Sequence, residues 1–289
     1  MSPAPLDALV AEVRRSIGGA IFQRIAGPDG AETRARLRQS DAERWFEVGS
    51  PIMQVHGDAS MFVGGLAALL LQSLHPLAMA GVDAHSGYRG DPWGRLSRTS
   101  HFLAVTTFGS ADDAQGAIDV VRSVHERVHG TAPDGRQYSA SDPHLLSWVH
   151  VAEVTMFLEA HRRFGATTLT PREQDRYVAQ AAQVAIGLGA DVVPRARSQA
   201  HDLLESYRPE LAGTAAARTA ARYLVATPPL PLPLRPAYAP IAAAAISLLP
   251  RWARWPLRLP WLPVTEATVV RGAGDAITRT VRWALTPPA

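Results

Sequence analysis

Helix-start signals are the feature of this sequence that most constrains its fold. A short polar residue followed by proline, as at Asp91-Pro92, Asp142-Pro143 and Thr170-Pro171, is typical of a helix N-cap and the first helical residue. Ser110 and Asp113 have the spacing of an acidic capping box. Valine, isoleucine and threonine nowhere alternate with polar residues over the length of a strand. The sequence therefore predicts an all-α protein.

Glycines predict where several of these helices end. The helix that begins at Pro92 should end at Gly109, and the helix that follows Ser110 should end at Gly130. Between Asp58 and Asp83 the sequence has no carboxylate and no arginine. Because this segment contains interior glycines and a histidine, we interpret it as a buried core helix that ends near Pro76 rather than as a membrane span. Further helices are predicted over residues 143–164, 171–187 and 194–207.

Composition supports a substantial buried core. The chain has 289 residues, of which 47% are hydrophobic and 19% charged, as expected for one large multi-helix domain. We expect a helical extension over residues 1–40, a main domain with a globin-like core over 41–250, and a Trp/Arg-rich segment over 251–289 packed on that domain. The proline-rich stretch 227–240 predicts an extended strap before this last segment.

The absence of cysteine and lysine excludes several classes of chemistry. Cysteine is absent, and all 29 basic side chains are arginine, so thiolate haem ligands, iron–sulfur clusters, Schiff bases and a Walker-type lysine are all excluded. The net charge is only +3 and the arginines are scattered, which argues against a nucleic-acid partner. The first residues contain an acid and no long apolar run, so we expect no signal peptide and a cytoplasmic protein.

Histidines are concentrated between residues 75 and 150 of the sequence. Imidazoles commonly bind metals or transfer protons, so this part is the candidate site. Seven of the ten histidines lie in this part: His75, His85, His101, His125, His129, His144 and His150.

One histidine pair matches a zinc-protease motif. The residues His125-Glu126-Arg-Val-His129 would place two imidazoles on one face of a helix, with Glu126 activating water. Glu153 is a candidate for a distant third ligand. This pattern keeps a zinc-dependent hydrolase open as an alternative.

Helical periodicity favours a different arrangement of the same two histidines. If residues 111–129 form one helix, His125 lies within the apolar stripe formed by Ile118, Val121 and Val128, whereas His129 lies at its border. A zinc protease needs both rings directed at one metal, but a haem needs only one ring directed into an apolar pocket. The pattern favours a single inward histidine.

Several strings of residues resemble a known family. LLLQSLHPLAMAGVDAHS, DPWGRLSRTSHFLAVTTFGSADDA, VRSVHERVHG and YSASDPHLLSWVH occur in an order that is similar to the oxygenase MpaB family, which is related to the catalytic domain of the rubber oxygenase called latex-clearing protein. The resemblance extends over roughly residues 40–250. It implies an all-helical fold and a non-covalent haem b.

The resemblance also implies roles for particular residues. His125 corresponds to the axial ligand of the haem iron. Arg95, Arg98 and Thr99 correspond to residues near the haem, and His150 to a residue of the pocket. Some rubber-cleaving relatives have a lysine as a distal ligand at the position of Arg98. Because arginine does not bind iron in this way, we expect an open distal position here.

The sequence therefore predicts a haem-dependent oxygenase or oxidase that uses O₂ and acts on a small apolar substrate, with Arg98, Thr99 and His150 as catalytic residues. The alternatives are the zinc hydrolase and a non-catalytic haem-binding protein. Tryptophans and arginines near the C-terminus predict packing on the domain, with contact to a membrane surface as the alternative. They include Trp252, Trp255, Trp261, Trp283, Arg251, Arg254 and Arg258.

Overall fold

The protein is an all-α, multi-helix domain, as the sequence predicts. The computed structural model describes residues 5–39, 42–87 and 89–286, so the expected boundary between residues 40 and 41 lies outside the described residues. The helices are α1 (Pro5–Ala26), α2 (Gly30–Gln39), α3 (Pro51–His56), α4 (Met61–Gln72), α5 (Pro76–His85), α6 (Pro92–Phe108), α7 (Ala111–His125), α8 (Pro143–Phe164), α9 (Pro171–Leu188), α10 (Arg197–Ser206), α11 (Ala215–Val225), α12 (Arg235–Leu248), α13 (Arg251–Arg254), α14 (Pro263–Thr265) and α15 (Arg271–Leu285).

Short elements connect these helices. β1 (His129–Thr131) pairs antiparallel with β2 (Gln137–Ser139) in a two-stranded hairpin. Single 3₁₀ turns cover Arg208–Glu210 and Leu232–Leu234, and a π-helical turn, Glu266–Val270, joins α14 to α15.

The predicted helix starts are confirmed by their caps. The side chain of Asp91 accepts a hydrogen bond from the backbone of Gly94 and begins α6. Ser110 and Asp113 form the reciprocal capping box of α7, and Thr170 forms a second box at the start of α9. Each cap satisfies backbone N–H groups that would otherwise have no partner in the first helical turn.

Helix α8 lies at the centre of the core. It packs most extensively against α4, and also contacts α9, α10 and α12. The two central helices approach closely at Gly64, where an added Cβ would lie 3.0 Å from the Cβ of Ala160. Trp148 on α8 is fully buried, and its indole Nε1 donates a 3.2 Å hydrogen bond to the carbonyl of Gln72. These contacts fix the position of α8 against α4 in the core.

The apolar segment between Asp58 and Asp83 contains a helix, α4, that ends at Gln72, near Pro76 as predicted. A second helix, α5, follows it at an angle of 109° and was not predicted. Pro76 occupies the first position of α5, where its missing N–H is not needed. Of the described helices, none alone is long and apolar enough to cross a membrane, and the bent pair meets that test only by length and composition.

The proline-rich stretch is irregular only over residues 227–231, and the 3₁₀ turn Leu232–Leu234 follows. Helix α12 begins at Arg235, inside the predicted strap, and contains Pro236 in its first turn and Pro240 inside it. A proline is tolerated in the first turn because the N–H groups there have no intrahelical acceptor. The C-terminal helix α15 then packs against α12, α1 and α8.

Candidate functional site

The first two turns of α6 carry three of the predicted site residues. Arg95 is half-buried, whereas Arg98 and Thr99 are exposed. One guanidinium nitrogen of Arg98 lies 3.6 Å from a carboxylate oxygen of Asp91. The Thr99 hydroxyl donates a 3.1 Å hydrogen bond to the carbonyl of Arg95. Arg98 therefore has a surface ion pair with the N-cap residue of its own helix.

His125 is the last residue of α7. Its side chain is half-buried, and its Nδ1 atom is buried without a hydrogen-bond partner among the described residues. Burial lowers the pKa of His125 below its ordinary value. The ring is therefore neutral at pH 7, which is the form of imidazole that binds a metal.

Helices α6 and α7 pack against each other and are joined only by Gly109 and Ser110. Such a short connection favours an antiparallel hairpin, in which Arg95 and His125 would lie toward the same end. Arg95 precedes Gly109 by 14 residues and His125 follows Ser110 by 15. At 1.5 Å per residue both lie about 21–23 Å from the connection.

The zinc-protease interpretation of residues 125–129 loses its structural basis, because the predicted helix end at Gly130 is wrong. Helix α7 ends at His125, and His129 is the first residue of β1. The two rings therefore do not share a helix face. Gly130 pairs with Tyr138 in the hairpin, where an added Cβ would lie 2.7 Å from the tyrosine hydroxyl. Pairing with this strand competes with continuation of the helix. Glu153, the candidate third ligand, is hydrogen-bonded to Gln72 on α4. Among the described residues, His125, Glu126, His129 and Glu153 do not form a group with metal-ligand spacing.

His150 lies on α8, and α9 packs against both α8 and α7. The Nε2 atom of His150 is buried without a partner among the residues that the structure describes. Burial lowers the pKa of His150 to about 4. Like His125, it is a neutral imidazole with unused hydrogen-bonding capacity.

A group of interior polar residues was missed by sequence reasoning. His56 on α3 lies with its Nδ1 atom 2.8 Å from the hydroxyl of Thr107 on α6. Its Nε2 atom lies 3.4 Å from the hydroxyl of Tyr177 on α9. Burial lowers the pKa of His56 to about 4. Burial also raises the pKa of Tyr177, and the charge of Glu153 raises it further.

Glu153 belongs to the same group, because its charge acts on Tyr177. Glu153 and His150 are three positions apart and so share one face of α8. The side-chain amide of Gln72 donates a 3.1 Å hydrogen bond to Glu153. Burial raises the pKa of Glu153 to about 6. We call His56, Thr107, Tyr177, Glu153 and Gln72 the interior polar cluster. Of these five residues, only Glu153 is singled out by the sequence, as a candidate zinc ligand. His56 has no motif around it that could have identified it.

Comparison with known proteins gives matches of different extent. The family described as "ER-bound oxygenase mpaB/B'/Rubber oxygenase, catalytic domain" matches residues 53–283. Two curated relatives, the uncharacterized protein Mb2261 of Mycobacterium bovis and the uncharacterized protein Rv2237 of Mycobacterium tuberculosis, are each 35% identical over 83 residues. These alignments cover 28% of this chain and 31% of each relative. No solved structure matches the chain. Because the family match includes α4 to α12 and nearly all of α15, the chain belongs to the family of mpaB and rubber oxygenase catalytic domains.

Proposed function

We propose that the protein is a haem b-dependent oxygenase or oxidase that acts on a small apolar substrate, with His125 as the axial ligand. The observation that carries this proposal is the state of His125, a half-buried neutral imidazole with an unpartnered ring nitrogen. Membership of an oxygenase family supports it. The donor set also fits, because cysteine is absent and histidine is a common axial ligand of haem iron.

Two arginines of α6 support the rest of the proposal. In an antiparallel α6–α7 hairpin, Arg95 and Arg98 would lie toward the same end as His125 and would be suited to pair with the two propionates. The exposed ion pair of Arg98 with Asp91 is weak enough to exchange for such a partner. A bound haem would supply the iron at which O₂ is activated. His150 and Thr99 are proposed to orient the substrate and hold protons at the pocket.

Haem binding by three protein samples tests the ligand. Wild type, His125→Ala and the control His129→Ala are titrated with haemin, and the Soret band is followed. His129 is exposed and lies on the β1–β2 hairpin, so this control removes a neighbouring histidine without changing α7. We expect one haem per chain for wild type and the control, and a loss of affinity with an altered spectrum for His125→Ala. If the alanine variant at position 125 keeps the wild-type affinity and spectrum, this assignment is wrong.

Gas and turnover measurements separate an enzyme from a haem carrier. Since Arg98 cannot ligate iron, an open distal position predicts that the reduced haem protein binds CO with a shifted Soret band. Substrate-dependent O₂ consumption with a panel of apolar alkenes then tests catalysis. Stable haem binding without any O₂ consumption across the panel would favour the non-catalytic alternative.

We further propose that the C-terminal segment contacts a membrane surface. Trp255 is 87% exposed and Trp261 is 46% exposed, and the guanidinium of Arg251 lies 4.2 Å from the centre of the Trp261 ring. Exposed tryptophans beside arginines are typical of membrane-surface contacts. We expect co-sedimentation with anionic lipid vesicles, and reduced co-sedimentation of Trp255→Ala. The control variant is Trp252→Ala, because the indole of Trp252 is anchored to Glu205 by a 2.9 Å hydrogen bond.

A further inference from the structure

A second group of residues, none of which is proposed to hold haem, contains two histidines. It consists of His75 at the N-cap of α5, His144 in the first turn of α8 and Glu210 in the 3₁₀ turn after α10. We call these three residues the His–His–Glu cluster. One ligand atom from each residue lies within 4.8 Å of the other two. Three segments that are distant in sequence therefore converge on one point.

We propose that the His–His–Glu cluster is a binding site for a divalent transition-metal ion of the Zn²⁺ type. Two imidazoles and one carboxylate form a common ligand set for such ions. The proposal concerns a different part of the protein from His125 and does not depend on haem binding.

The distances within the cluster suit a tetrahedral metal. The Nε2 atoms of His75 and His144 lie 3.4 and 2.9 Å from the same carboxylate oxygen of Glu210. Ligands at 2.0–2.1 Å in tetrahedral geometry are separated by about 3.3 Å. The ligand atoms therefore need only small shifts to surround a single ion.

Hydrogen bonding alone leaves the cluster incompletely satisfied. His75 is only 1% exposed, and its Nδ1 atom has no partner among the described residues. Its other ring nitrogen has a 3.4 Å contact with Glu210, which is at the outer limit of a hydrogen bond. Buried imidazoles normally find closer partners. A metal bound at Nε2 would replace this long contact with a ligand bond, and Nδ1 would remain without a partner among the described residues.

The surroundings hold the ligands while leaving one side open. The ring of His144 lies 4.7 Å from the ring of Tyr207, and the tyrosine hydroxyl donates a 2.7 Å hydrogen bond to the carbonyl of His144. Trp148 lies 6.0 Å from His75. His144 and Glu210 remain 48% and 39% exposed. A metal here would have three protein ligands and an accessible fourth position.

Charges of both signs surround the cluster. Arg136 is within electrostatic range of His75 and Glu210, and Asp191 is within range of His144.

Zinc titration of the whole protein tests the proposal. Protein treated with a chelator and dialysed is titrated with Zn²⁺ by calorimetry, and bound zinc is measured after a second dialysis. We expect one zinc per chain in wild type. His144→Ala and Glu210→Gln should each lower the affinity more than about a hundredfold, since even the loss of residues behind a ligand costs 10–100-fold. Both side chains are half-exposed, so these variants should fold.

Two controls make the result specific. His201→Ala removes an exposed histidine on α10 outside the cluster, and His129→Ala removes the last histidine of the zinc-protease motif. Both should bind zinc within about twofold of wild type. Absence of stoichiometric zinc in wild type overturns the proposal, as does equal binding by His144→Ala. Loss of zinc in His129→Ala alone would also overturn it and would return the metal to residues 125–129. Co²⁺ in place of Zn²⁺ should give visible absorption bands that disappear in Glu210→Gln.

Discussion

Arg282 on α15 donates two hydrogen bonds, of 2.9 and 3.0 Å, to the carboxylate of Asp58. Its guanidinium also donates to the carbonyl of Phe164 at the end of α8. Only 7% of the Asp58 side chain is exposed. Burial would raise the pKa of Asp58, but the hydrogen bonds from Arg282 and Ser60 lower it on balance. One arginine thus joins the C-terminal helix to the start of α4 and the end of α8.

Arg282→Ala should therefore destabilise the fold. The substitution leaves the charge of Asp58 buried without its counterion, which typically costs about 3–5 kcal/mol. The control Arg279→Ala removes an exposed arginine from the same helix and should change stability by less than about 0.5 kcal/mol. Urea denaturation of both variants measures the difference. Equal stability of the two would show that the pair contributes nothing to folding.

The close packing of α4 and α8 gives a second prediction from two adjacent glycines. An added Cβ at Gly64 would lie 3.0 Å from Ala160 and 3.2 Å from the backbone of Phe157, whereas nothing lies within 4 Å at Gly65. Gly64→Ala should lose about 1–3 kcal/mol because α8 cannot move away. Gly65→Ala should gain up to about 1 kcal/mol because alanine favours a helix. Thermal unfolding distinguishes them, and a stable Gly64→Ala would contradict the close approach.

Local chemistry explains why the helix starts could be predicted. The caps at Asp91, Ser110 and Thr170 act over three residues, so the sequence contains the whole interaction. The end of α7 depends instead on the pairing of Gly130 with Tyr138. A helical pattern through Val128 and His129 is locally plausible, and only the partner strand shows that it does not form.

The same distinction applies to the candidate site. Arg95, Thr99 and His125 came from a resemblance of short strings, and the short connection between α6 and α7 is itself visible in the sequence. His56 and Tyr177 are 121 residues apart, and their contact depends on how α3 packs on α9. No periodicity within either segment predicts such a contact, so the interior polar cluster required the structure.

His56 should make stability depend on pH in the acidic range. Its pKa is lowered by burial to about 4 from an ordinary 6.5, so the unfolded chain binds a proton between these values and the folded chain does not. Stability should fall as the pH falls from 6.5 to 4, by up to about 3 kcal/mol from this group. The difference in unfolding free energy between wild type and His56→Gln should shrink by that amount over the same range. The matched control His201→Gln, at an exposed position, should show a constant difference from wild type.

Glu153 should produce the opposite pH dependence from the same cluster. Burial raises its pKa from 4.5 to about 6, although the hydrogen bond from Gln72 opposes the shift. Between these values the folded protein binds the proton and the unfolded chain does not. Its contribution to stability is therefore present below pH 4.5 and is lost as the pH rises through 6, by up to about 2 kcal/mol.

The neutral amide of Glu153→Gln cannot ionise, so the variant should lack this loss and gain stability relative to wild type as the pH rises from 4.5 to 6. Unfolding free energies at half-unit steps of pH, for wild type, Glu153→Gln and His56→Gln, measure both effects together. The two variants should diverge from wild type with opposite signs over overlapping pH ranges, Glu153→Gln between 4.5 and 6 and His56→Gln between 4 and 6.5. Curves for Glu153→Gln and wild type that stay parallel would show that Glu153 is hydrated in the folded protein. In that case it would not be a buried acid available to exchange protons near neutral pH beside His150.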